Sequence, residues 1–455
     1  MNKKKVYMIG IGGISMSGIA EILVNYGYTV SGSDNTENEM TRKLEEDGIK
    51  VNIGQVKENI TDDIDLVVYT AAIKDDNEEL VRARELGIET IERGEFLGEL
   101  TENFKDVIGV AGTHGKTTTS SMVSCVFMEK ELDPSIQIGA NLNVINGNYR
   151  VGKSDYFIIE ACEYKDSYQN FKQRSAIVTN VDNDHLDYFK NIENIEKSFR
   201  EYVSHLPSDG LLVLNMDNER CYNLRNYTKA NVITCSIDNE EADYNTKNII
   251  FDDSGRASYD VYKKGEFVTR VTLGVKGVHN VINSLECFAL CSWYGIDNES
   301  IVNGLKKFTG ASRRMELKGT FNGANVYDDY GHHPTEIEAT TNAILKEKYN
   351  ESYAIFEAHT YSRVKNHTDD FVKSLLKYDH IIVIDIYAAR EENIYNVSPL
   401  DIVNKLKEKG KDAIYISDYD DIKKYLSERV KEGDLIITIG AGNVTKVASK
   451  LVEKN

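Results

Sequence analysis

Residues Gly112-Thr113-His114-Gly115-Lys116-Thr117-Thr118-Thr119 constrain the fold more than any other stretch of this chain. The apolar run Val107-Ile108-Gly109-Val110-Ala111 precedes them and reads as a buried strand. Ser121-Met122-Val123-Ser124-Cys125-Val126-Phe127 follows and reads as a helix. A strand, a glycine turn, Lys-Thr and a helix make a phosphate-binding loop. Backbone N–H groups of such a loop wrap an anionic phosphate, and the helix N-terminus adds partial positive charge. In that arrangement Lys116 reaches the outer phosphates and the Thr117 hydroxyl holds Mg²⁺. The match to the general spacing is incomplete, because Val110 stands where the first glycine falls. The chain is expected to handle a nucleoside triphosphate on a parallel α/β sheet.

A second glycine turn opens the chain. Lys5-Val6-Tyr7-Met8-Ile9 reads as a strand, Gly10-Ile11-Gly12-Gly13-Ile14-Ser15-Met16-Ser17-Gly18 as a turn entering a helix, and Tyr28–Asp34 as a second strand closed by an acid. The third glycine of a dinucleotide fingerprint falls at Ser15, while Asp34 stands where such folds grip a ribose. A nucleotide diphosphate is therefore expected here, with NAD as one candidate. Asp65–Ile73 reads as a later strand, and this first unit runs to about residue 105.

Two further strands of the central unit end in chemistry. Asp155–Glu160 is apolar and closes on a carboxylate, a hard oxygen ligand suited to Mg²⁺. Glu163 follows three residues on and either joins that site or is simply solvated. Ala176–Asp182 leads into Asn183-Asp184-His185. Histidine is an uncommon Mg²⁺ ligand, so by itself His185 reads as a hydrogen-bonded loop residue. The C-terminal edge where these strands end is where α/β sheets bind ligands. Residues 236–273 lack helical periodicity and read as added short strands. Gly277-Val278-His279-Asn280 then opens a helix.

A third α/β unit starts near Ala311-Ser312-Arg313-Arg314, with strands expected at 325–329, 353–356, 381–384 and 435–439. Asp328-Asp329-Tyr330-Gly331-His332-His333-Pro334-Thr335-Glu336-Ile337 places acids and histidines at a strand end, with Pro334 suited to a helix start. Zinc competes for this cluster but lacks a third ligand at standard spacing. Arg313, Arg314 and Arg363 are candidate phosphate clamps.

Bulk properties exclude several classes. The formal net charge of −19 argues against a general nucleic-acid binder and requires cations to be concentrated at any nucleotide site. No apolar run reaches the roughly 18 residues of a transmembrane helix, so membrane insertion is not expected. The basic start Met1-Asn2-Lys3-Lys4-Lys5 leads into a glycine-broken segment that reads as a first strand and not as a signal peptide. The six cysteines form no CxxC pair, and Cys162, Cys287 and Cys291 fit buried thiols in a reducing cytoplasm.

Taken together, the motifs resemble the Mur ligase family over the whole chain and in order. The carriers are Gly10–Gly13 with Ser15–Gly18, Ser31–Asp34, Ala111–Thr119, Glu160-Ala161-Cys162-Glu163-Tyr164, Thr179-Asn180 through His185, His279-Asn280 with Asn283, Arg313-Arg314, and Asp328–Ile337. The resemblance implies three α/β domains: a Rossmann-like one over 1–105 that binds a UDP-sugar, a central P-loop ATPase-like one over 106–310, and a Rossmann-like C-terminal ligase domain over 311–455 that closes over the site. It implies an ATP-dependent ligase that joins L-alanine to the lactyl carboxylate of UDP-N-acetylmuramate through an acyl phosphate, with a sister ligase that adds a whole peptide as the alternative. By carry-over, Gly112, Thr113, His114, Gly115, Lys116, Thr117 and Thr118 hold ATP, and His279, Asn280, Asn283, Arg314 and Arg363 complete its site. Thr117, Glu160 and His185 hold Mg²⁺, as two ions. Lys116, Glu160, His185 and His333 form the catalytic set, and Gly12, Gly13, Ser15, Met16, Asp34, Thr70 and His114 meet the UDP-sugar. The partners implied are the two substrates, with the enzyme cytoplasmic and a monomer or weak homodimer. Two positions depart from the family pattern: Gly331 replaces alanine, and Glu357-Ala358 replaces Gln-Pro. Other classes, an NAD(P) oxidoreductase or a nucleotide switch, rest on the first glycine turn or on the phosphate loop alone.

Overall fold

The computed structural model describes residues 4–389 and 391–453, so Met1, Asn2 and Lys3 of the basic start lie outside the described residues. Three sheets carry the fold. The first contains β1 (Lys5–Ile9), β2 (Thr29–Asp34), β3 (Lys50–Ile53), β4 (Leu66–Tyr69) and β5 (Glu89–Glu92), all parallel, in the order β3-β2-β1-β4-β5. The order of strand addition reverses between β1 and β4, the switch point at whose C-terminal ends such sheets bind ligands. The expected strand 65–73 stops at Tyr69 because the Ile73 N–H turns back to the Thr70 carbonyl at 2.9 Å.

The second sheet contains β6 (Asp106–Ala111), β7 (Ser135–Leu142), β8 (Gly147–Arg150), β9 (Tyr156–Glu160), β10 (Ser175–Val178), β11 (Leu211–Asn215), β12 (Asn231–Ser236), β13 (Tyr244–Phe251), β14 (Arg256–Lys263) and β15 (Glu266–Lys276). Its order is β15-β14-β13-β12-β11-β10-β6-β9-β7-β8. β6 thus lies between β10 and β9, parallel to both. Four of its six residues, Val107, Ile108, Val110 and Ala111, are fully buried apolar side chains, the pattern of a strand covered on both faces. The stretch read as short strands is β13–β15, longer than expected and joined by glycine turns at Gly255 and Gly265.

The third sheet contains β16 (Glu316–Phe321), β17 (Ala324–Asp329), β18 (Ser352–Phe356), β19 (His380–Val383), β20 (Asp412–Tyr415) and β21 (Leu435–Ile439), in the order β16-β17-β21-β18-β19-β20. Only the β16–β17 pair is antiparallel in it. The four strands expected here appear within a residue or two. The chain divides into two compact units: residues 1–246, 261–269 and 283–305 form the first, and 247–260, 270–282 and 306–455 the second. The first unit holds the first sheet and most of the second; the third sheet lies wholly in the second unit.

Candidate active site

The loop after β6 enters a helix, Lys116–Glu129, whose first residue is Lys116 itself. Gly112 and Gly115 have φ of +132° and +86°. A Cβ on Gly112 would stand 2.0 Å from Thr179 Oγ1, and one on Gly115 2.9 Å from Asn283 Oδ1. Glycine is therefore required at both ends of the turn on two counts, backbone conformation and space.

The segment after β10 stitches the loop in place. The Thr113 N–H donates to the Asn180 carbonyl (3.1 Å), and the Asp182 N–H donates to Thr113 Oγ1 (2.9 Å). The Asn180 side chain accepts from the His114 N–H and donates to the His114 carbonyl, each at 2.9 Å. Thr179 Oγ1 donates to the same carbonyl at 2.5 Å, and His114 Nε2 lies 3.6 Å from Asp182. Thr117 is buried and Thr118 half-buried in the first helical turn.

Lys116 Nζ donates to the carbonyls of Gly112 (2.6 Å) and Thr113 (3.0 Å) and pairs with Glu163 Oε2 at 2.9 Å. Burial opposes the charge on this lysine, but the Glu163 carboxylate, aided by Glu160, outweighs it and holds the ammonium above the ordinary lysine range. Glu163, left open in the sequence, is thus 2 % exposed and part of the site. The signal available was its place three residues beyond a strand-end carboxylate.

Glu160 ends β9 and accepts from the Gly139 N–H at 2.8 Å. His185 lies seven residues past β10 in the left-handed region (φ 53°), at the start of a one-turn helix, Leu186–Phe189. Its Nε2 stands 3.8 Å from Glu163 Oε1, and its ring packs 4.9 Å from the Tyr164 ring. Lys116, Glu160, Glu163 and His185 therefore come together around the loop. Among the described residues no group of three His, Cys, Asp or Glu forms a preformed metal cage. Thr117 and Glu160 nevertheless offer hard oxygen donors. That set fits Mg²⁺, which keeps waters and phosphate oxygens in its shell and needs few protein ligands.

In the first sheet, the Gly10–Gly13 turn follows β1 and Thr70 follows β4, the two strands of the switch point. Asp34 Oδ2 accepts from the Gly12 N–H at 3.0 Å, so the acid expected at a ribose also braces the turn. Ser15 Oγ accepts from Arg93 (3.1 Å) and from Gln137 Nε2 (3.0 Å). The Met16 side chain packs into the core, while Gly13 is exposed.

His279, Asn280 and Asn283 share the opening turn of the helix His279–Trp293. Asn280 Nδ2 donates to the Lys276 carbonyl at 2.6 Å. Burial and the Arg314 cation lower the His279 pKa to about 4, so its ring is neutral at pH 7. In the second unit, Arg313 and Arg314 both stack on Tyr330. Arg313 is also committed to Asp328 (3.3 Å) and the Gly440 carbonyl (2.5 Å), so it acts as an anchor. Arg363 lies 3.2 Å from His359 Nδ1. His333 caps the helix Pro334–Ile344, taking the Thr335 N–H on its ring while Glu336 closes the box. The two departures also find partners. Gly331 leaves room for Asp329 Oδ1, which a Cβ would approach to 2.7 Å, and Glu357 accepts from the Asn443 (3.0 Å) and Val444 (3.2 Å) N–H groups. Of the three cysteines expected buried, Cys287 and Cys291 are, and Cys162 only partly.

Family models for the Mur ligase family catalytic domain, the Mur ligase middle domain and the Mur ligase glutamate ligase domain match residues 5–105, 110–291 and 313–442. The chain belongs to the Mur ligase family. It is similar to the UDP-N-acetylmuramate--L-alanine ligase of Caldanaerobacter subterraneus, 45 % identical over 99 % of this chain and 98 % of the relative. The same-named enzyme of Agathobacter rectalis is 46 % identical at the same coverage. Among solved structures, the UDP-N-acetylmuramate-alanine ligase of Thermotoga maritima superposes with a TM-score of 0.86 at 27 % identity, covering 98 % of both chains. A murein peptide ligase from Psychrobacter arcticus gives 0.76 at 25 % identity, covering 99 % of this chain and 98 % of that one. This Mur ligase thus has the three-domain α/β architecture throughout, and no helix among its described residues is long and apolar enough to cross a membrane.

Proposed function

We propose that this Mur ligase joins L-alanine to the lactyl carboxylate of UDP-N-acetylmuramate at the expense of ATP, releasing ADP and phosphate in peptidoglycan precursor synthesis. The reading rests above all on the Lys116–Glu160–Glu163–His185 cluster around a phosphate loop, in a chain similar end to end to ligases of that name. A carboxylate is a poor electrophile. Its oxygen attacks the γ-phosphorus, ADP leaves, and the resulting acyl phosphate is attacked by the amine of alanine with loss of phosphate. Charge builds on phosphoryl oxygens, so stabilisation by positioned cations carries most of the rate.

In this reading the loop N–H groups and Lys116 hold the β- and γ-phosphates. Thr117, Glu160 and His185 would hold Mg²⁺, which neutralises phosphoryl charge when bound. Neutral His279, with Asn280 and Asn283, meets the adenine. Arg314, Arg363 and His333 belong to the proposed ATP and ligase set of the second unit. The turn Gly12-Gly13-Ser15-Met16, with Asp34, Thr70 and His114, takes the UDP-sugar, whose diphosphate is favoured at the N-terminus of the helix Ile14–Asn25. We assign the cytoplasm as its compartment.

The test is ADP release with UDP-N-acetylmuramate plus L-alanine, glycine, L-serine or the tripeptide. Turnover with L-alanine, abolished in Lys116→Ala, is expected; a response to peptide but not to L-alanine assigns the recycling reaction instead.

A further inference from the structure

One carboxylate of the cluster has no role in the scheme above. We propose that Glu163 is an internal counter-ion that occupies the phosphate's place on Lys116 until the nucleotide displaces it. The inference rests on the reading of the loop as a nucleotide site.

An ammonium has three N–H donors. On Lys116 two are taken by the carbonyls of Gly112 (2.6 Å) and Thr113 (3.0 Å), which lay the side chain along the loop. The third direction ends on Glu163, with Oε2 at 2.9 Å and Oε1 at 3.2 Å. The outer phosphate oxygens of a triphosphate need that same direction. Glu163 is 2 % exposed and the Lys116 side chain 12 %, so solvent screens the pair little and the loop's one side-chain cation is neutralised from within. A buried carboxylate and a phosphate cannot share that contact without like-charge repulsion.

The carboxylate also has somewhere to go. His185 Nε2 stands 3.8 Å from Glu163 Oε1, and the His185 backbone is already held by its own N–H on Asp184 Oδ1 at 2.7 Å. Displacement by phosphate turns Glu163 from Lys116 toward the His185 segment. The empty loop is thereby kept from capturing stray anions such as inorganic phosphate. Nucleotide affinity is reduced by the fraction of molecules in which the lysine is paired.

The experiment is an equilibrium titration of the full-length protein with a fluorescent non-hydrolysable ATP analogue, with inorganic phosphate as competitor. Glu163→Gln is expected to tighten analogue binding about tenfold and to let phosphate compete at correspondingly lower concentration. A merely structural role for Glu163 cannot tighten binding, so unchanged or weaker affinity in this variant overturns the proposal. Should Glu163→Gln fail to fold by circular dichroism, Glu163→Asp, whose shorter side chain loosens the pair, decides by the same criterion. Lys116→Ala in the same assay separates the two readings: retained binding there refutes the loop as a nucleotide site, independently of Glu163.

Discussion

Gly139→Ala moves the Glu160 carboxylate without touching the rest of the site. An ideal Cβ on Gly139 stands 2.8 Å from each Glu160 oxygen and 3.1 Å from its Cδ. Ordinary contact begins at 3.4 Å, so the carboxylate must recede by about 0.6 Å or rotate away. Either movement breaks the 2.8 Å hydrogen bond from the Gly139 N–H. A bond to a charged acceptor is worth about 1.5–3 kcal/mol. If that bond serves to hold Glu160 for chemistry, the loss appears as a fall of about 10- to 100-fold in turnover. The cost to the fold is partly offset. The displaced atoms are the tip of a flexible side chain, and replacing a glycine where the backbone suits alanine gains about 0.4–1 kcal/mol through the unfolded state. The assay pairs ADP release as a function of Mg²⁺ with urea unfolding of the same preparation. Reduced turnover with a raised Mg²⁺ requirement is expected, with a modestly lowered urea midpoint, because the lost bond outweighs the glycine term. Turnover within twofold of the parent at all Mg²⁺ concentrations would refute the placement of Glu160 as a site ligand.

Two further predictions concern the scaffold. Gly112→Ala combines a left-handed backbone with a Cβ 2.0 Å from Thr179 Oγ1 and about 3 Å from two backbone nitrogens, whereas Gly48→Ala at φ +85° meets nothing within 4 Å. Urea unfolding should show a loss of about 1–2 kcal/mol for Gly48→Ala and clearly more for Gly112→Ala, which also disturbs the Thr179 and Asn180 bonds; equal losses would show that the close approach does not matter. Glu286 is fully buried with no hydrogen-bond partner on either oxygen among the described residues, and burial, with Asp217 and Cys287 nearby, raises its pKa well above the 4.5 of an ordinary glutamate. The folded state then keeps a proton that the unfolded chain releases, so this residue weakens the fold increasingly as pH rises above about 4.5. Glu286→Gln should therefore gain more in urea midpoint, relative to the parent, at pH 8 than at pH 5; a pH-independent difference would count against the buried neutral acid.

The parts of this molecule that were legible in the sequence are those set by short stretches of chain. Gly112, Gly115 and Lys116-Thr117 announce a tight turn into a helix because its backbone needs glycine at unusual φ and Lys116 opens the helix. Glu160 was legible as a strand-terminal acid, and Pro334 as a helix opener. Local pattern failed where a residue's use depends on what lies across the fold. Asp34, expected at a ribose, also braces Gly12, twenty-two residues before it. Arg313, a candidate clamp, is taken by Asp328 and by the Gly440 carbonyl, 127 residues away. Gly139 meets Glu160 only because β7 lies beside β9.

The sequence by itself determined the strands, the glycine turns and which residue types stand at the strand ends, because φ preferences and side-chain periodicity act over a few residues. Only the tertiary structure decided that Lys116 meets Glu163 forty-seven residues on and that Glu163 is 2 % exposed. Coulombic and hydrogen-bond energies depend on distance in space and on burial, and neither is written in chain separation.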